Sequence, residues 1–142
     1  MNGNAELLNF IYQNSQMGVE SLEKLISISE DSKFNKCLES QLNGYKLINN
    51  KAMKKLNENG YDEKGIGTFT KIQSYIMINL QTMMDKTPSH LAEMLIIGSN
   101  MGVIDAIKNI RKYSGAESGI LNLMEDLKKF EENNIEVLKE FL

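Results

Sequence analysis

The chain has no tryptophan, and it has only one proline (Pro88), one cysteine (Cys37), one histidine (His90) and one arginine (Arg111) among 142 residues. Each scarcity excludes something. A single cysteine cannot close an intramolecular disulfide, so the disulfide-stapled secreted scaffolds are out and a cytoplasmic setting is expected. Scarce proline suits a chain built mostly of helix, because proline costs about 3 kcal/mol in a helix interior. With Arg111 the lone arginine among 16 basic residues, the rigid fork that clamps phosphates is nearly missing. One distant histidine also leaves Cys37 without a base, although Lys33 and Lys36 stand near it. No stretch approaches the roughly 18 uninterrupted apolar residues of a membrane span. The start, Met1-Asn2-Gly3-Asn4-Ala5-Glu6, lacks the basic-then-apolar profile of a signal peptide. No membrane partner is expected.

What is present describes one globular domain over residues 1–142. Hydrophobic residues make up 42%, charged residues 25%, and the net charge is −3. That balance is unlike a disordered tail. A sequence pI near 5.3 also excludes a nucleic-acid binder that works by bulk charge. Apolar residues recur every three or four positions, and strict alternation is almost absent, so the expected class is all-α.

The first helix is expected over Asn4 to about Ser29, with Asn4 as its cap and Leu8, Ile11, Ser15, Gly18, Leu22 and Leu25 along one stripe. A second runs from about Ser32 to Asn59, closed by Gly60. Residues 60–67 read as a loop, in which Gly65-Ile66-Gly67 lacks the strand and third glycine of a phosphate-binding turn. A helix over 68–85 follows. Thr87-Pro88 then restarts a long helix to Tyr113, since a hydroxyl cap followed by proline suits a helix start. A last helix spans about Glu117 to Phe141. Helices of about 25 residues span nearly 40 Å, enough for one continuous core.

The sequence also repeats itself. Ser15-Gln16-Met17-Gly18-Val19 recurs as Ser99-Asn100-Met101-Gly102-Val103. Shifted by one more residue, Leu42, Tyr45 and Asn49 correspond to Leu127, Phe130 and Asn134. A glycine inside a helix costs nearly 1 kcal/mol against alanine, so Gly18 and Gly102 at matching positions imply close helix packing.

Two similar hairpins joined by a long connection with its own helix resemble the ferritin-like four-helix bundles. The resemblance implies an antiparallel bundle with a crossover helix between helices two and three. It also implies a di-iron or di-manganese site made of a glutamate from each of two helices and a Glu-x-x-His motif from each of the other two. At the matching positions this chain has Gln16, Lys46 with Asn49, Asn100, and Glu131 with Asn134. Carboxamides are weak ligands for hard ions, which want several carboxylate oxygens. The expectation is therefore a bundle without the di-metal set, needing no cofactor, in which Gln16, Asn49, Asn100 and Asn134 form a central polar layer. Such a bundle would act as a binding or structural protein and not as an enzyme; Gly-x-Ser-x-Gly, Cys-x-x-Cys, Walker and His-Glu-x-x-His patterns do not occur. The rival is a metal-dependent oxidase or iron-handling protein using Glu20, Glu93, Glu131 and His90. A third reading, a sensor of a small ligand, requires a cavity beside the glycines. The crossover helix is apolar on more than one face, and Tyr75, Ile76, Met77, Leu80, Met83 and Met84 are expected to form an association surface for a homodimer or a protein partner.

Overall fold

The computed structural model describes residues 2–62, 75–76, 79 and 84–142. Four helices pack against one another: α1 (Asn4–Ile28), α2 (Ser32–Glu58), α3 (Pro88–Lys112) and α4 (Ser118–Leu138), followed by a short 3-10 turn over Lys139–Phe141. Among the described residues there is no strand. The helix limits fall within a few residues of those expected from periodicity, because the local stop signals act as read. Asp31 caps α2 by accepting from the Phe34 amide at 2.8 Å. Thr87 caps α3 by accepting from the His90 amide at 3.4 Å, with Pro88 at the first helical position. At the end of α2, Gly60 turns left-handed and the Tyr61 amide returns to the Leu56 carbonyl at 2.9 Å.

The start of α1 differs from expectation. Gly3, left-handed at φ 85°, precedes the helix, and Asn4 lies within it. Asn4 instead reaches across the bundle, where its Oδ1 accepts from the Glu117 amide at 2.9 Å. Glu117 makes no side-chain cap of its own for α4, so Asn4 satisfies an orphan donor at the start of another helix. Of the helix expected over 68–85, Tyr75, Ile76 and Asn79 are helical. Met77, Leu80 and Met83 lie outside the described residues.

α1 packs chiefly on α2, and α3 on α4; α1 also touches α3 and α4, and α2 touches α4. Leu7, Leu8 and Ile11 of α1 are fully enclosed, as are Phe34, Leu38 and Leu56 of α2, Leu91 of α3 and Leu127 of α4. Each side chain of this size stabilises the fold by about 1.5–3 kcal/mol when buried. α3 is the one helix among the described residues long and apolar enough to cross a membrane by length and composition. Much of that apolarity, including Leu91, Ala92, Met94 and Leu95, is enclosed by the bundle.

Candidate functional site

Along the length of α1 a heptad-like run carries Asn4, Leu7, Ile11, Asn14, Ser21 and Leu25 inward, with Asn14 near its middle. Asn14 is 1% exposed, and its position on that run places it against α4. There its Nδ2 donates to Glu131 Oε1 at 2.8 Å. From α2, the Tyr45 hydroxyl donates to Glu131 Oε2 at 2.9 Å. Both carboxylate oxygens are thus held by neutral donors from two other helices. Glu131 itself is 3% exposed, and among the described residues no lysine, arginine or histidine pairs with it.

Burial raises the Glu131 pKa to about 7, although the hydrogen bonds from Tyr45 and Asn14 pull the other way. Burial also pushes the Tyr45 hydroxyl well above its usual range, and the neighbouring Glu131 carboxylate adds to that. Ser99 and Asn134 lie beside the same hydroxyl. Asn134 is 4% exposed; among the described residues its Nδ2 makes no close hydrogen bond, and its neighbour is the Tyr45 hydroxyl.

Two glycines make room for this layer. A Cβ on Gly18 would stand 2.7 Å from the Tyr45 ring, and one on Gly102 would stand 3.0 Å from Glu131 Oε2. The Tyr45 ring is also met edge-on by Phe130, with centroids 4.9 Å apart at 89°. Beside Glu131 lies a partly open cavity of about 30 Å³. Asn14, Ser21, Gln41, Tyr45, Ser99 and Glu131 supply its polar wall, and Met17, Leu22, Ile76 and Leu95 its apolar wall, with Gly18 and Gly98 between them. One water-sized occupant needs roughly 10–15 Å³, whereas a benzene-sized one fills about 150 Å³.

The residues expected from sequence divide into two groups. Asn134 is buried at the centre, and Asn49 is half-buried with its amide donating to Ser15 Oγ and to the Tyr12 carbonyl, each at 3.1 Å. Gln16 and Asn100 do not join them. Gln16 points to the outer side and donates to Glu20 at 3.3 Å, and Asn100 is exposed. The glycine repeat directs attention to the right level of the bundle, but Gln16 and Asn100 lie about 100° around their helices from Ser15 and Ser99, and that step carries them outward. The layer is made instead by Asn14, Tyr45, Glu131 and Asn134.

Of the rival metal set, Glu20 and Glu93 are exposed and His90 is half-buried in the first turn of α3. Glu131 alone faces the interior. Among the described residues no three histidine, cysteine, aspartate or glutamate side chains are gathered so as to hold a metal ion. On the crossover segment, Ile76 is not on an outer surface: it is 6% exposed, and its Cδ1 would lie 3.4 Å from a Cβ on Gly98. Tyr75 is half-buried, whereas Met84 is 97% exposed.

No protein-family model, curated protein or solved structure matches this chain.

Proposed function

We propose that this chain is a ferritin-like bundle that has exchanged the di-metal site for a hydrogen-bonded carboxylate layer, and that it serves in the cytoplasm as a non-catalytic binding protein. The contacts along the helices support that layout. Ser15 meets Asn49 and Gly18 meets Tyr45, so α1 and α2 run in opposite directions. Tyr45 meets Glu131 while Gly119 faces Lys55, which opposes α2 and α4. Gly3 at the start of α1 lies under Tyr113 at the end of α3. α2 and α3 then share a direction, as helices two and three do in ferritin-like folds.

The observation that carries the functional reading is the partly open cavity beside a single buried carboxylate ringed by amides and hydroxyls. A di-metal centre needs several carboxylates converging on one point. A cavity at the level of the glycine repeat is what a binding site needs, so the binding reading leads. Its assembly is proposed as a homodimer or a complex with a protein partner, for which the exposed Met84 and, on α3, Ile97 and Ile104 supply apolar surface.

Metal content decides between the readings. Elemental analysis of protein purified without chelators, and again after Fe(II) or Mn(II) loading, is expected to find background metal in both samples. About two tightly held ions per chain would overturn the binding reading and put oxidase or iron-handling chemistry first.

A further inference from the structure

The geometry points to a ligand class for this cavity: we infer that it takes a small protonated primary amine, with the ammonium head on Glu131 and a short alkyl tail along Met17, Leu22, Ile76 and Leu95. The inference rests on the reading of this layer as a binding site and adds the chemistry of its occupant. Charge comes first. The polar wall holds one carboxylate and no cationic side chain, so it repels anions and leaves a buried negative charge to be matched by an incoming cation.

Donor and acceptor numbers come second. An ammonium group offers three donors and needs acceptors only. The Glu131 carboxylate, the Tyr45 oxygen, the Ser21 and Ser99 hydroxyls and the Gln41 amide all line the space. Tyr45 already donates its proton to Glu131, and its oxygen faces Ser99 and Asn134, so the acceptors left for the ammonium are the Glu131 carboxylate, the Ser21 and Ser99 hydroxyl oxygens and the Gln41 carbonyl. Size comes third. About 30 Å³ seats the ammonium nitrogen and its first carbon but not a ring, and because the cavity is partly open the rest of a short alkyl tail runs out through its mouth. Finally, a hard divalent ion would find one carboxylate where it wants several, whereas the apolar wall beside the polar one suits a methylene tail.

The test is titration calorimetry on the full chain with n-butylammonium, n-butanol and butyrate as probes at about pH 8, using wild type and Glu131→Gln. Butylammonium is expected to bind wild type at about one per chain, with butanol and butyrate at least tenfold weaker. Glu131→Gln is expected to weaken butylammonium by about 10- to 100-fold, the scale of a hydrogen bond to a charged group. Wild type supplies a second readout should that variant fail to fold. Butylammonium stays protonated between about pH 6 and pH 8, so its affinity is expected to rise over that range as Glu131 ionises. The groups facing Glu131 from the other helices are Asn14, Tyr45, Ser99 and Gly102, and of these only Tyr45 titrates, far above the range.

Butanol binding as tightly as butylammonium in both proteins would overturn the amine assignment while leaving a binding pocket in place. No binding by any probe would overturn it too. Neither result touches the metal measurement, so a failure of the broader reading is seen separately.

Discussion

The chemistry of Glu131 depends on three helices at once: its own, α1 and α2. Its two hydrogen bonds come from different elements, Asn14 on α1 and Tyr45 on α2, and both favour the charged form against burial. Tyr45→Phe removes one of those donors and leaves the ring over Gly18 and against Phe130. The Glu131 pKa is therefore expected to move upward from about 7, as read by carboxyl-carbon NMR over a pH titration; an unchanged midpoint would mean the Tyr45 bond contributes nothing to holding the charge. Glu131 is reached from the sequence through the ferritin-like resemblance, as the residue three before Asn134, and as a ligand of the rival metal set. Its two donors are not reached that way. Asn14 was hidden because a helix at the centre of a bundle buries more than one stripe: Leu8, Ser15 and Leu22 form one inward row, while Leu7, Asn14 and Ser21 form another. The repeat pairs Tyr45 with Phe130, which accounts for its ring but not for its hydroxyl.

At the scale of helices, close approach is what the glycines decide. Alanine at position 18 would gain nearly 1 kcal/mol of helix propensity. Its Cβ, however, would stand 2.7 Å from three atoms of the Tyr45 ring, which is 5% exposed and fixed by Phe130 on one edge and Glu131 at its hydroxyl. Overpacking of this kind costs about 1–3 kcal/mol, so Gly18→Ala is expected to lower stability on balance in urea denaturation. Gly102→Ala is expected to lose less, since its Cβ would meet the tip of the Glu131 side chain at 3.0 Å and not an enclosed ring. A Gly18→Ala protein as stable as wild type would show that α1 and α2 separate easily at this level. The recurrence of Ser-x-Met-Gly-Val showed in the sequence that both positions need a small residue. What stands opposite each was not legible, because the partner of a glycine is fixed by the rotation of a neighbouring helix. The Asn4 cap shows the same limit: its residue type announces a capping role, but the amide it binds, that of Glu117 just before α4, lies more than a hundred residues later.

For the molecule as a whole, four helices and one core were legible from apolar spacing and from stop signals such as Asp31, Thr87-Pro88 and Gly60, since these act within a few residues. The arrangement of the helices was less so, because it rests on contacts far apart in sequence such as Asn14 with Glu131. Those distant contacts also give the fold a pH dependence. An unfolded Glu131 titrates near its ordinary value of 4.5, and the folded one near 7. Between these values the folded chain holds the extra proton, so raising the pH favours unfolding. The stability present below about pH 4.5 is lost progressively up to about pH 7 and stays level above it. A shift of this size amounts to a loss on the order of 3 kcal/mol, a sizeable share of the roughly 5–15 kcal/mol typical of a domain. Glu131→Gln keeps an acceptor for Asn14 and carries no charge, so it should abolish this slope. Urea denaturation of both proteins at intervals from about pH 4.5 to about pH 8 tests this, because the other carboxylates contribute equally to the two and cancel in the difference. The variant is expected to gain on wild type as pH rises and to be the more stable protein at pH 8. A difference that stays constant with pH would mean that Glu131 ionises as easily in the folded bundle as in the unfolded chain, and that its burial is relieved by something other than Asn14 and Tyr45.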